Sequence, residues 1–146
     1  MKTGLAIALL REAISRFVRP GKVLVLARLF TALRGSYGHG VHKSYEELID
    51  EAIEVPFLVV DDVGAEKPSS AMAAAFFEIA NTRLTAKRAT IWTTNYDIPG
   101  LVEQLQPRDP GADQKAGERL VWRILDQCGG TPVYVKGRNQ RDRGAR

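Results

Sequence analysis

Cysteine is almost missing from this sequence, with Cys128 the single example. One thiol excludes an internal disulfide framework and fits a reducing, cytoplasmic setting. Histidine is nearly as scarce. Only His39 and His42 could serve that thiol as a base, so Cys128 reads as a small packed hydrophobe rather than a nucleophile. No apolar run approaches the roughly 20 residues of a membrane span. The start, MKTGLAIALLREAISRF, has the Lys2 and apolar centre of a secretory signal, but the run from Leu5 to Leu10 breaks at Arg11-Glu12 and no small-residue cleavage site follows. Internal repeats and low-complexity segments are also lacking. What remains is 45% hydrophobic and 26% charged over 146 residues, an ordinary soluble composition that suits one domain with a real core.

The net charge of +4 is unevenly placed. Residues 1–35 hold seven basic groups and one acid, whereas residues 36–67 hold two basic groups and eight acids. The balance is even from 68 to 135, and residues 137–146 form a basic tail. An anionic partner would therefore meet the ends of the chain rather than its middle. A solvated, frayed terminus accounts for the tail equally well.

Short, continuously apolar segments alternate with helical patterns. Leu5, Ala6, Leu9, Leu10, Ala13, Ile14, Phe17 and Val18 recur at helical spacing, and Pro20-Gly21 ends that helix. KVLVL (22–26), FLVV (57–60), ATIWTT (89–94) and PVYVKG (132–137) read as strands. Helices are expected over 28–35, over YEELIDEAI behind a Ser44/Glu47 capping box, after Pro68-Ser69-Ser70, over 101–106 and over 118–127. This alternation predicts an α/β fold, a parallel sheet covered on both faces, with chemistry beyond the carboxyl ends of its strands.

Two such ends carry unusual residues. FLVVDDVGAEK drives an apolar strand into adjacent carboxylates, Asp61 and Asp62. Like charges that close repel, and a buried one needs a counter-charge such as a divalent cation. Two solvated acids at a strand end are the plain alternative. ATIWTTN ends its strand on Asn95, which could orient a water between those acids and a phosphate. A phosphate loop, G-x-x-x-x-G-K-S/T, would supply backbone N–H groups and a lysine. Met1-Lys2-Thr3-Gly4, running straight into an amphipathic helix, matches the end of that pattern, with Met1 where the last glycine belongs.

Taken in order, KTGLAIALL, VLVLARLFTALR, FLVVDDVGAEK, NTRL, ATIWTTN, GERLVWRIL and GRNQR resemble the AAA+ ATPase domain of DnaC/DnaI-type bacterial helicase loaders. The likeness runs from residue 1 to about residue 141. The IstB-like transposition ATPases share much of it. The resemblance implies a P-loop NTPase-type three-layer α/β/α fold that uses ATP and Mg²⁺. It implies a replication protein that binds single-stranded DNA, self-associates through AAA+ interfaces and delivers a replicative DNA helicase.

By the same resemblance, Lys2 and Thr3 end the Walker A loop, and Asp61 holds Mg²⁺. Asp62 polarises the attacking water, and Asn95 is sensor 1. Arg123 is the arginine finger, with Arg119 the competitor for that role, and Arg141 is sensor 2. Tyr37 and Lys43, in GSYGHGVHKS, have the aromatic and basic character that single strands favour, although a glycine loop with incidental polar groups explains them as well. Trp92 is expected in the core, and Trp122 as a packing anchor.

The sequence departs from the family in lacking the first, P-loop strand, which the family places between its last strand and its sensor 1 strand. By the resemblance the segment with which loaders grip the helicase would precede residue 1, so either the true start lies upstream of Met1 or this is a fragment or decayed copy. Two further readings follow. One is an IstB-like transposition helper. The other is a truncated, non-hydrolysing AAA+-shaped binding module that holds ATP weakly and tends to aggregate.

Overall fold

The computed structural model describes residues 2–35 and 45–135. In chain order the elements are α1 (Lys2–Phe17), β1 (Gly21–Val25), α2 (Leu26–Gly35), α3 (Tyr45–Glu54), β2 (Phe57–Val63), α4 (Ser70–Thr85), β3 (Ala89–Thr94), α5 (Ile98–Leu105) and α6 (Ala116–Gln127). Among the described residues the strands form one parallel sheet in the order β1-β2-β3, with β2 central. Parallel neighbours need crossover connections. Helices α2 and α3 supply the first, and α4 supplies the second.

Side-chain alternation along β2 sorts the layers. Leu58 and Val60 enter the main core with Leu24, Leu29, Phe30, Phe76, Ile79 and Leu105. Val59 points the other way, packing with Ala6 and Leu10 of α1 beside Ile14, Phe57 and Ile91. One helix therefore covers one face, and α2 to α6 cover the other, giving the expected three-layer α/β/α arrangement. Burying each such large apolar side chain contributes about 1.5–3 kcal/mol. Trp92 belongs to the main-core side, its ring 5.6 Å from that of Phe76 in an edge-on arrangement.

The helix starts follow local chemistry. The Ser69 hydroxyl accepts from the Met72 N–H at 3.3 Å at the start of α4. The Asp97 carboxylate accepts from the Gly100 N–H at 3.0 Å at the start of α5, satisfying donors that a helix cannot. Gly117 lets α6 approach α5, because a Cβ there would lie 2.4 Å from the Val102 carbonyl oxygen.

Three sequence expectations are corrected. The predicted strand at 132–137 is not formed over its described part, where Val133, Tyr134 and Val135 are exposed and unpaired among the described residues. An apolar, β-branched segment becomes a strand only beside a neighbour, and β3 pairs with β2 alone among the described residues. Trp122 is no packing anchor but 58% exposed on the outer side of α6. The apolar positions of α1 do not act as one buried face. Ala6 and Leu10 are buried, whereas Leu5, Leu9 and Phe17 stay open to solvent above a sheet that is three strands wide among the described residues. The Ser44 cap lies outside the described residues.

Candidate functional site

β2 does not stop at Val60 but continues to Val63 through both aspartates. Its pairing with β3 is broken between Val60, opposite Trp92, and Val63, opposite Thr94. Two residues, Asp61 and Asp62, thus oppose one, Thr93, which is the arrangement of a β-bulge. The extra residue resets the alternation. Asp61 keeps the side of Val59, facing α1, and Val63 returns to the main core. Asp62 takes the strain, with a left-handed φ of 56°, and Gly64 follows at φ 88°. A side chain at Gly64 would lie 3.0 Å from Leu101 and 3.1 Å from Tyr96, so glycine suits both the turn and the space.

The first turn of α1 meets this bulge. The Thr3 hydroxyl lies 3.0 Å from each oxygen of the Asp61 carboxylate. The Lys2 ammonium donates to the Asn95 side-chain oxygen at 2.5 Å. Asp61 is 95% buried, with 5% of its surface exposed, and it also accepts from the Thr93 hydroxyl at 2.5 Å. The structure therefore brings together Lys2, Thr3, Asp61 and Asn95, with Asp62 adjacent. All lie at the carboxyl ends of β2 and β3 and at the amino end of α1. The free N–H groups and dipole of a helix start favour an anion there.

A buried carboxylate beside a hydroxyl is a hard-oxygen donor pair of the kind Mg²⁺ takes. Among the described residues no group of three or more His, Cys, Asp and Glu gathers. A cation at Asp61 and Thr3 would complete its shell with phosphate and water oxygens, which is the usual way Mg²⁺ is held. The residues present fit that ion.

Arg123 is not part of this cluster. It lies on α6, half-exposed, 3.9 Å from Asp126 and with its guanidinium 6.0 Å from the centre of the Phe77 ring. Arg119 is ion-paired with Asp113. Tyr37, Lys43 and Arg141 lie outside the described residues. Cys128, at the end of α6, is exposed rather than packed as a small hydrophobe, which corrects that expectation; desolvation nonetheless pushes its thiol pKa up.

Two residues were overlooked in the sequence. Thr93 reads there as one more β-former, yet its hydroxyl touches both halves of the bulge. Arg83, within the quoted NTRL, is fully buried. Its guanidinium donates to the carbonyls of Ala52, Ile53, Val55, Pro56 and Ala89 and to the Thr90 hydroxyl. Burial lowers its pKa to about 10, so at neutral pH it remains a cation. An arginine at that helical position shows its buried partners only once the chain is folded.

Solved structures with the same architecture include the DnaC helicase loader, at 22% identity and a TM-score of 0.64 over 86% of this chain and 67% of that one. DnaI matches at 26% identity and a TM-score of 0.57 over 70% of this chain and 51% of that one. AMPPCP-bound DnaA from Aquifex aeolicus matches at 20% identity and a TM-score of 0.60 over 82% of this chain and 34% of that one. No protein-family model and no curated protein matches the sequence. The chain has an AAA+ P-loop NTPase-type fold. In its architecture it is like the DnaC and DnaI structures, and it spans about two thirds of the DnaC structure and half of the DnaI structure. No helix among the described residues is long and apolar enough to cross a membrane.

Proposed function

We propose that this chain is a helicase-loader-type AAA+ ATPase of DNA replication, binding ATP with Mg²⁺ and, through a self-associated assembly, handing a replicative helicase to single-stranded DNA. The observation that supports it best is the meeting of Lys2 and Thr3 with Asp61 and Asn95 at one edge of the sheet. A DnaC helicase loader and an AMPPCP-bound DnaA are among the chains of like fold. In this reading Lys2 binds the outer phosphates, while Thr3 and Asp61 hold the metal. When bound, Mg²⁺ would neutralise charge developing on the phosphate oxygens. Asp62 takes the proton of the attacking water, and Asn95 orients that water. Arg123, on an open helix face, reaches the γ-phosphate of a neighbouring copy, and Arg141 acts on the bound nucleotide. Tyr37 and Lys43 contact the single strand. An IstB-like helper would use the same site with a transposase as partner.

Titration of the chain with AMPPCP, with and without Mg²⁺, tests the reading. Metal-dependent binding that Asp61→Asn weakens is the expected result. A folded chain that takes up no AMPPCP would replace it with a second reading, a non-hydrolysing AAA+-shaped binding module. The outer edge of β3, unpaired among the described residues, and the exposed Val133 and Tyr134 favour that alternative.

A further inference from the structure

Thr93 stands opposite both aspartates, and its hydroxyl serves each in a different way. It donates to Asp61 Oδ1 at 2.5 Å and accepts from the Asp62 backbone N–H at 3.1 Å. A hydroxyl has one hydrogen to give and two lone pairs, so both bonds form at once. The residue is buried, with 7% of its surface exposed. These contacts address the two problems the bulge creates. A bulge leaves its extra residue unpaired in the ladder, and here the Asp62 N–H finds the Thr93 oxygen instead. A carboxylate facing a helix start is free to rotate, and here Thr93 holds one oxygen while Thr3 lies equidistant from both.

We propose that Thr93 is a positioning residue, whose hydroxyl fixes the rotation of the Asp61 carboxylate and pins Asp62 in its left-handed conformation. The metal-directed half of this role rests on the reading of Asp61 and Thr3 as a Mg²⁺ site. The pinning half does not. With Oδ1 engaged by Thr93, the face of Asp61 offered to a cation is set before the cation arrives. Asp62, the neighbouring candidate acid, is aimed through its backbone by the same atom.

The test compares the full chain carrying Thr93→Val, which removes the hydroxyl at nearly constant shape and suits a strand, with Thr93→Ser, which keeps it. Two readouts are taken. The first is hydrogen exchange of the Asp62 amide without ligand, expected to quicken at least about tenfold in the valine chain, as loss of a local protecting bond implies. The second is Mn²⁺ affinity by electron paramagnetic resonance in the presence of AMPPCP. It is expected to fall about 10–100-fold, the usual effect of losing an outer-shell partner of a metal ligand, while AMPPCP affinity without metal stays constant. Serine is expected to restore both.

Unchanged Asp62 exchange in a folded valine chain overturns the pinning role. Unchanged Mn²⁺ affinity, or failure of serine to restore it, overturns the orienting role. A parent chain that binds no Mn²⁺ with AMPPCP overturns the nucleotide reading and with it the metal-directed half, while the exchange readout still decides the pinning. Should the valine chain not fold, Thr93→Cys, a weak donor of similar volume, is expected to show intermediate values in the same two measurements. Values equal to the parent's would overturn the proposal.

Discussion

Lys2 and Asn95 are 93 positions apart in the chain, yet the ammonium of one donates to the side-chain oxygen of the other. The contact joins the start of α1 to the end of β3 across the polar edge of the sheet. It places a cation and an amide where a phosphate and its attacking water would meet in the proposed function.

Asp62 is expected to act on the reaction rather than on binding. In an assembly that hydrolyses ATP, Asp62→Asn should keep nucleotide affinity and lower turnover by roughly 10²–10⁴-fold, the range for removing a general base. Asp61→Asn should in addition raise the Mg²⁺ concentration needed. Steady-state hydrolysis across a Mg²⁺ series checks both, and equal turnover by Asp62→Asn and the parent would remove Asp62 from the mechanism.

Arg123 is expected to work across an interface. Among the described residues its half-exposed guanidinium makes only a long ion pair with Asp126 and a ring contact with Phe77, so its charge is available to a neighbouring copy. Arg123→Ala should cost about 10³-fold or more in turnover. Mixing it with Asp62→Asn chains should recover part of the activity at mixed interfaces. No recovery at any ratio, with co-assembly demonstrated, would assign Arg123 to its own surface.

Arg83 is expected to matter for stability alone. Arg83→Met would strand several carbonyl oxygens, each costing about 1–3 kcal/mol when buried without a donor. A loss of roughly 3 kcal/mol or more is therefore expected in urea unfolding. A variant within about 1 kcal/mol of the parent would mean that water replaces the guanidinium.

Two of the helical glycines, Gly117 and Gly4, should respond with opposite signs. Gly117→Ala forces a Cβ to within 2.4 Å of the Val102 carbonyl and 2.9 Å of the Gln106 nitrogen, for an expected cost of about 1–3 kcal/mol. Gly4→Ala meets nothing within 4 Å and should stabilise α1 by up to ~1 kcal/mol through helix propensity. Thermal unfolding of the two variants side by side tests the pair.

Much of the sheet was legible because its strands are short and wholly apolar, a pattern that buried parallel strands impose on sequence. The aspartates were legible for the opposite reason, since charge at the end of such a strand demands a partner. The bulge was not, because pairing two residues against one depends on β3, some 30 positions away in the chain (31 between Asp62 and Thr93). Thr93 and Arg83 were hidden in the same way, as their partners are distant in sequence. Val133, Tyr134 and Val135 carry the composition of a strand and lack a neighbour among the described residues, and composition cannot supply one.

Arg83 binds the last carbonyls of α3 and the first residues of β3 at the amino end of the sheet, opposite the aspartates. Arg88 reinforces that end, donating to the Ile53 carbonyl and the Glu54 carboxylate, and holds the Glu54 carboxyl below its ordinary range. The sheet is thus riveted at one end and held at the other by hydroxyls and a single lysine. The contacts at the carboxyl end are ones a phosphate or a cation could take over, whereas the guanidinium–carbonyl bonds at the amino end serve the fold alone.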